Sequence, residues 1–344
     1  MAAEKPARLK VLQLDTIRLA HDAWASIGEI ADIVVPKATN RADFIDECRS
    51  GTLDGVTVAY RTFCLDVTGP IDKELLAVLP SSLRFICHTG AGYDQIDIAA
   101  CSARGIRVSN TPTAVDEATA DLHIFLLLGA MRNLTPTMLS IREGTWHGTN
   151  GEPPLGHDPE GKTLGILGMG GIGRAVARKA HAAFGMKIRY HNRNRLAPTI
   201  EAELGGAEFV PQLADLLGSA DVLSINVPLS ARTRHMIGAA QFAQMKRGVV
   251  VVNTARGAII DEQALVDALE SGQVAAAGLD VFEHEPTVHP GLLKSDKTIL
   301  VPHRGTSTVE TESKMEAWAI SNVRQAVLEG TLKSIVPEQA GLTF

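Results

Sequence analysis

The run Lys162-Thr-Leu-Gly-Ile-Leu-Gly168-Met-Gly170-Gly-Ile-Gly173-Arg-Ala-Val-Ala-Arg-Lys-Ala-His-Ala-Ala-Phe-Gly185, continued by Met-Lys-Ile-Arg-Tyr-His-Asn192-Arg193, decides the fold. A short apolar segment with the pattern of a buried strand enters a glycine turn. The turn opens a stretch with small apolar residues on one face, and after Gly185 a second strand pattern begins, so the run reads as a βαβ unit. Gly168 permits the tight turn, Gly170 lets backbone approach a pyrophosphate without a Cβ between them, and Gly173 lets helix and strand pack closely. Gly171 and Ile172 lie in the same turn, whose helix N-terminus presents unpaired N–H groups to an anion. In a chain of 31 glycines the triplet alone is a weak signal. Its place between a strand and a helix is the context that a dinucleotide site requires.

The end of the second strand speaks to which dinucleotide. An acidic residue about 20 positions beyond the glycines bonds a ribose 2′-hydroxyl, whereas arginine suits a 2′-phosphate. Here stand Asn192, Arg193 and Arg195, with no carboxylate to repel phosphate and two guanidiniums to chelate it. NADP(H) is therefore the expected cofactor, with NAD(H) as the alternative.

A chain of 344 residues is long enough for two domains with separate cores. Its net charge of −6, with no basic block, argues against nucleic acid as a partner. Cys48, Cys64, Cys87 and Cys101 are scattered without metal-ligand spacing, so no metal is expected and the thiols read as those of a reduced, cytoplasmic protein. The longest apolar run, Leu122 to Ala130, is too short to cross a bilayer.

Outward from the glycine motif, strand and helix patterns alternate. Before it come strands at Val11–Leu14, Val56–Tyr60, Leu83–Cys87 and Ile106–Val108. Helices are expected from a Thr39/Asn40 cap to Cys48, over Asp72–Leu79 and over Asp94–Ala103. A long helical pattern runs from Ala114 to about Gly144, with Pro136 as the expected break, and Gly144 to Gly161 reads as a loop. The core of that pattern is apolar on more than one face, which suggests a subunit interface and a homodimer. After the motif, strands are expected at Ala207–Val210, Asp221–Val227, Val249–Asn253, Ala276–Val281 and Thr298–Val301, and a last helix at Val309 to Leu328. Alternation of this kind specifies parallel sheets covered by helices, the second with six or seven strands.

Ligands of open parallel sheets bind beyond the carboxyl ends of the strands. Residues falling there include Gly90–Gly92, Val227-Pro228, Thr254-Ala255-Arg256-Gly257, Asp280, Glu283, Glu285 and His303. The runs Val252-Asn-Thr-Ala-Arg256-Gly257 and Gly278-Leu-Asp280-Val-Phe-Glu-His-Glu285-Pro286, with Pro302-His303 before Gly305, follow the glycine motif in a fixed order. In this the chain resembles the D-isomer-specific 2-hydroxyacid dehydrogenases over nearly its whole length, and within them the glyoxylate/hydroxypyruvate reductase branch.

The resemblance implies an α/β fold of two doubly wound domains. A Rossmann cofactor domain at 112–306 would be inserted into a flavodoxin-like substrate domain made of 1–111 and 307–344, with the two segments that cross between them acting as a hinge. It implies reduction of a small 2-keto acid to the D-2-hydroxy acid, with no nucleic acid and no membrane as partner. His303 matches the family's acid/base histidine, and a histidine titrates near a pKa of about 6.5, suited to both directions. Glu285 matches the carboxylate that orients the ring, and Arg256 the cation for the substrate carboxylate. Gly90-Ala91-Gly92 matches a loop whose backbone N–H groups complete carboxylate binding. Asp280 matches the position that holds the nicotinamide carboxamide, Thr254 lies beside the nicotinamide, and Val227, Pro228 and Thr233 match adenosine-side or ribose contacts. Gly305 joins the cofactor contacts.

One residue departs from the family pattern: Arg304 stands where a neutral side chain is usual, either turned to solvent or able to bind a second anionic group. His235, His284 and His289 lack matching contexts and read as ordinary residues. Two further readings differ in substrate or class. A D-mandelate-type enzyme for bulky acids would be decided by pocket residues around Phe63 and Tyr93, and a dinucleotide-sensing corepressor by a binding partner.

Overall fold

The computed structural model describes residues 8–146 and 155–343, so part of the expected 144–161 loop lies outside the described residues. It divides into two compact units, one of Met1–Val115 with Thr308–Phe344 and the other of Asp116–Ser307.

The first unit begins β1 (Lys10–Gln13), α1 (His21–Ile30), β2 (Asp32–Val34), α2 (Arg41–Arg49) and β3 (Val56–Arg61). It continues α3 (Lys73–Val78), β4 (Phe85–His88), α4 (Ile98–Ala103) and β5 (Arg107–Ser109). The five strands pair in parallel in the order β2-β1-β3-β4-β5, the flavodoxin-like arrangement. Side-chain caps set several helix starts: Asn40 accepts from Asp43 N, Asp72 from Leu75 N and Asp97 from Ala100 N. The helix expected from Asp94 starts later, because Ile96 bridges Ile71 and Asp97 N donates to Ile71 O at 2.8 Å.

The second unit opens with α5 (Asp116–Met131) and α6 (Leu134–Arg142). The glycine motif then forms β6 (Thr163–Leu167), α7 (Gly171–Phe184) and β7 (Lys187–His191). There follow α8 (Pro198–Glu203), β8 (Glu208–Phe209), α9 (Leu213–Ser219), β9 (Val222–Ile225), α10 (Ala239–Gln244) and β10 (Val249–Asn253). The unit closes with α11 (Glu262–Glu270), β11 (Val274–Leu279), α12 (Pro290–Lys294) and β12 (Thr298–Leu300). All seven strands are parallel, in the order β12-β11-β10-β9-β6-β7-β8. Chain progress reverses between β6 and β9, and the glycine turn after β6 lies at this switch point, where such sheets bind ligands.

One expectation needs correction. The long helix does not break at Pro136: α5 and α6 meet at an 82° bend on Asn133, whose φ is 51°. Asparagine tolerates this left-handed conformation, and Pro136 falls in the first turn of α6, where its missing N–H is harmless. The all-round apolarity of α5 is largely used within its own unit. Leu126, Leu127, Ala130 and Met131 are buried with Leu164, Ile166 and Val252. A Cβ on Gly278 of β11 would lie 2.8 Å from Leu126 Cβ, so helix and strand are in direct contact. Among the described residues, no single helix is long and apolar enough to cross a membrane.

The chain returns to the first unit with α13 (Val309–Glu329). Its buried Glu316 accepts hydrogen bonds from the N–H groups of Arg18, Leu19 and Ala20 at 2.9, 2.8 and 2.8 Å. This carboxylate fixes the turn that leads into α1, a helix with no side-chain cap of its own.

Candidate active site

Three segments of the second unit converge through backbone packing. After β10, Asn253 shapes the turn: its Oδ1 accepts from Ala255 N at 3.0 Å and its Nδ2 donates to Arg256 O at 2.9 Å. The next residue has no room for a side chain, because a Cβ on Gly257 would collide with the backbone of Phe282 and Glu283. That close approach seats the Arg256 turn on the loop after β11. Within this loop Phe282 N donates to Glu285 Oε1 at 2.9 Å, and the other carboxylate oxygen meets His303 Nδ1 at 2.8 Å. Arg256, Glu285 and His303 are thereby gathered at the carboxyl edge of the sheet.

The electrostatics of the three are coupled. Partial burial works against the charge on Glu285, but the bond and charge of His303, the Phe282 N–H and the charge of Arg256 together hold its carboxyl below the usual carboxylate value. With Nδ1 on the carboxylate, Nε2 of His303 remains for a reactant. Arg256 Nη1 donates to Ala255 O at 2.8 Å.

His303 has a φ of 53°, and the turn that carries it is fixed by Asp280. Backbone N–H of His303 donates to Asp280 O at 2.8 Å, and those of Arg304 and Gly305 donate one each to the two carboxyl oxygens. Asp280 has no exposed surface. The duty this geometry displays is therefore to hold the 303–305 turn, a role that the sequence did not suggest. The side chain of Arg304 is exposed.

The glycine turn fits a pyrophosphate. Nothing lies within 4 Å of the position a Cβ would take on Gly170, so the N-terminus of α7 opens onto free space. Gly168, at φ 96°, could not carry a Cβ without coming to 2.8 Å from Asn226 C, and a Cβ on Gly173 would strike Gly168 O. A Cβ on Gly171 would strike the Asp116 carboxyl, which gives this glycine a helix-packing reason, and Ile172 joins the apolar core beneath. Past β7, Arg193 is exposed, while Arg195 pairs with Glu201 through Nε at 2.9 Å and Nη2 at 2.8 Å. Glu201 also accepts from Tyr190 Oη at 2.7 Å, so Arg195 is already engaged. Asn192 Nδ2 donates to Asn194 O at 3.2 Å. On the loop after β9, Val227 abuts Gly168, and Thr233 Oγ1 donates to Pro228 O at 2.7 Å, closing the turn.

In the first unit the Gly90-Ala91-Gly92 loop has all three carbonyls engaged, by Thr111 N, Asn110 Nδ2 and His88 Nε2. A cavity of about 250 Å³ lies at the carboxyl ends of β1 and β3, lined by Asp15, Thr62, Phe63, Cys64 and Met315 among others. Of the two aromatic residues expected to set pocket size, Phe63 lines it. Tyr93 instead donates to Glu338 at 2.8 Å.

Residues 124–305 match the model of the D-isomer specific 2-hydroxyacid dehydrogenase NAD binding domain. The chain is 51% identical over 329 residues to 4-methyl-2-oxopentanoate reductase A of Aspergillus oryzae, covering 95% of this chain and 98% of the relative. It belongs to the D-isomer-specific 2-hydroxyacid dehydrogenases. Among solved structures of the family, a glyoxylate reductase from Paecilomyes thermophila is 49% identical, with a TM-score of 0.92 covering 97% of this chain and 100% of that one. An NADPH-dependent glyoxylate/hydroxypyruvate reductase from Sinorhizobium meliloti, in complex with NADP and malonate, is 31% identical. Its TM-score is 0.83, over 96% of this chain and 98% of that one.

Sequence reasoning missed several residues of this dehydrogenase. Asn253 was legible in principle, since an asparagine at a strand end before a turn tends to bond nearby backbone. Glu201 gave no signal, because its partners Tyr190 and Arg195 reach it across a loop. His123 interrupts the apolar run Leu122–Ala130, and a polar residue buried on such a face must find partners. His235, set aside in the sequence, contacts Glu283 at 2.5 Å and takes no part in the trio.

The contact between Gly257 and the Phe282–Glu283 backbone predicts the effect of a single methyl group. Gly257→Ala should destabilise the protein by about 1–3 kcal/mol in urea unfolding. It should also depress turnover by moving Arg256 relative to Glu285; unchanged stability and turnover would show that the two loops are not in contact.

Proposed function

We propose that the protein reduces a small 2-keto acid of the glyoxylate/hydroxypyruvate type to the D-2-hydroxy acid, with NADPH as reductant. The observation that carries this reading is the Glu285–His303 pair at 2.8 Å, with the charge of Arg256 acting on it, at the edge where the glycine turn opens. Bound reduced nicotinamide supplies the hydride that goes to the carbonyl carbon. His303, protonated and held through Nδ1, gives the Nε2 proton to the carbonyl oxygen, so the net change is one hydride and one proton added across C=O. Glu285 keeps the ring oriented and balances its positive charge. Arg256 grips the substrate carboxylate and polarises the carbonyl, and Gly90-Ala91-Gly92 offers backbone N–H groups to the same anionic group.

For the cofactor, Gly168, Gly170 and Gly173 would cradle the pyrophosphate. Asp280 and Thr254 would attend the nicotinamide, and Val227 and Pro228 the adenosine side. We assign the 2′-phosphate chiefly to Arg193, which is exposed, with Asn192 beside it. Arg195, paired with Glu201, would keep the loop in shape. The preference for NADP(H) over NAD(H) is supported by the absence of an acidic residue from 192–195, directly after β7, and by the S. meliloti relative with NADP.

A bulkier 2-keto acid is a second reading, favoured by the cavity beside Phe63 and by the activity named for the A. oryzae relative. Relative kcat/KM for glyoxylate, hydroxypyruvate, 4-methyl-2-oxopentanoate and phenylglyoxylate ranks the two. We further assign the exposed apolar side chains of α6, Met138, Leu139 and Ile141, to a homodimer interface.

His303→Ala should lower kcat by roughly 10²–10⁴-fold while cofactor binding persists, the range for loss of a positioned general acid. Arg256→Ala should raise KM for the keto acid by about 10-fold or more, as expected for a charge-assisted bond. Full turnover by His303→Ala would remove the mechanism. Arg193→Ala should weaken NADPH by about tenfold more than NADH in fluorescence titrations, and equal loss for both would move the 2′-phosphate elsewhere. Analytical ultracentrifugation should give the mass of two chains; one chain alone would refute the dimer.

A further inference from the structure

A polar line crosses the otherwise apolar interior of the second unit beneath the site. His123, on α5, is fully buried, with Nε2 2.9 Å from Ser224 Oγ on β9 and Nδ1 2.9 Å from Thr254 Oγ1 just past β10. Asn226 Nδ2 lies 2.8 Å from the same Ser224 Oγ, and Asn226 Oδ1 is buried without a partner. No charge among the described residues compensates the ring, and burial lowers its pKa to about 3, so it is neutral, with one nitrogen donating and the other accepting.

Proton counting selects the direction. With the Asn226 amide donating to Ser224 Oγ, the serine proton goes to His123 Nε2. The ring proton then sits on Nδ1 and is donated to Thr254 Oγ1. In the reverse order Ser224 Oγ accepts from both the Asn226 amide and His123 Nε2–H, and the serine hydroxyl proton then has no acceptor among the described residues although Ser224 has no exposed surface, a cost the favoured order avoids. In the favoured order the Thr254 hydroxyl proton has no acceptor among the described residues. It is directed away from the ring, and Thr254 stands at the carboxyl end of β10, two residues before Arg256.

We infer that His123 is a positioning residue: it holds Thr254 as a hydrogen-bond donor to the carboxamide oxygen of the bound nicotinamide, and thereby fixes which ring face meets the substrate. This inference rests on the reductase reading given above. The carboxamide oxygen is the neutral acceptor on the hydride-donating ring, whereas the substrate's anionic group is matched by Arg256. A hydroxyl with a free choice of partner would accept or donate; the relay leaves donation alone.

The test measures cofactor binding without substrate, so it stands apart from the keto acid's identity. His123→Leu, His123→Asn, Thr254→Val and Thr254→Ser are titrated with NADPH and with its thionicotinamide analogue, in which sulfur, a weak acceptor, replaces the carboxamide oxygen. Loss of one neutral hydrogen bond corresponds to about five- to tenfold in Kd. His123→Leu and Thr254→Val should each weaken NADPH by that factor and change thionicotinamide binding less than about twofold. The double variant should be no weaker than either single one, because both remove the same bond. His123→Asn, whose amide can donate where Nδ1 does, and Thr254→Ser should keep most of the affinity. Equal weakening of both cofactors, additive loss in the double variant, or unchanged NADPH binding in Thr254→Val would overturn the assignment. If His123→Leu does not fold, the two threonine variants and His123→Asn still decide it.

Discussion

The site depends on one buried carboxyl group holding a strained turn. His303 occupies the left-handed region at φ 53°, a conformation that costs a residue with a side chain roughly 1–2 kcal/mol. The turn persists because three consecutive backbone N–H groups, those of 303, 304 and 305, all end on Asp280. Asp280 N in turn donates to Asn253 O at 3.0 Å, tying this turn to the strand end that carries Arg256. The imidazole therefore inherits its direction from backbone constraints over-determined by one buried residue. The Gly257 contact plays the matching part for the guanidinium, since it lets one loop rest directly on another.

Much of this was legible in the chain, for a reason that differs from element to element. β6, α7 and β7 were legible because strand, glycine turn and helix each leave a local pattern and all agree. β10, with its run of Val249 to Asn253, was legible because a strand buried on both faces is continuously apolar. By contrast α1 carries no starting signal of its own: Ala20 cannot cap, and the turn before the helix is held by Glu316, which lies 296 positions after Ala20. β2 has three residues, too few for any periodicity. The helix bends at Asn133 and not at Pro136, although proline is the louder signal, because a proline in a first turn breaks nothing.

The site divides along the same line. The grouping of Arg256, Glu285 and His303 is expected from the order of their motifs, which is a property of sequence. Side-chain partners set by tertiary structure were not. Arg195 reads as a free cation until Glu201 is seen beside it, and the relay through His123 joins residues 101 and 131 positions apart. Such pairings are decided by which helix packs on which strand. That packing in turn depends on positions such as Gly278 against Leu126, where the absence of a side chain is the only trace.

Asp280 and Glu285 illustrate how one short loop assigns different work to the same functional group. For both, the largest influence is burial, which disfavours the charged form. In Asp280 burial, joined by the charge of Glu285, prevails over the Arg304 N–H, the His303 charge and the Gly305 N–H, and its carboxyl titrates above the ordinary value. In Glu285 the hydrogen bond to the ring and the added charge of Arg256 outweigh burial, and its carboxyl titrates below. The pair is thus pushed apart by environment, as acid/base sites require. The carboxyl that faces a cation through its side chain keeps its charge for the imidazole, while the one surrounded by backbone N–H groups fixes geometry. Exchanging the two roles would take from the N–H groups of residues 303–305 the acceptor that fixes the turn carrying the ring.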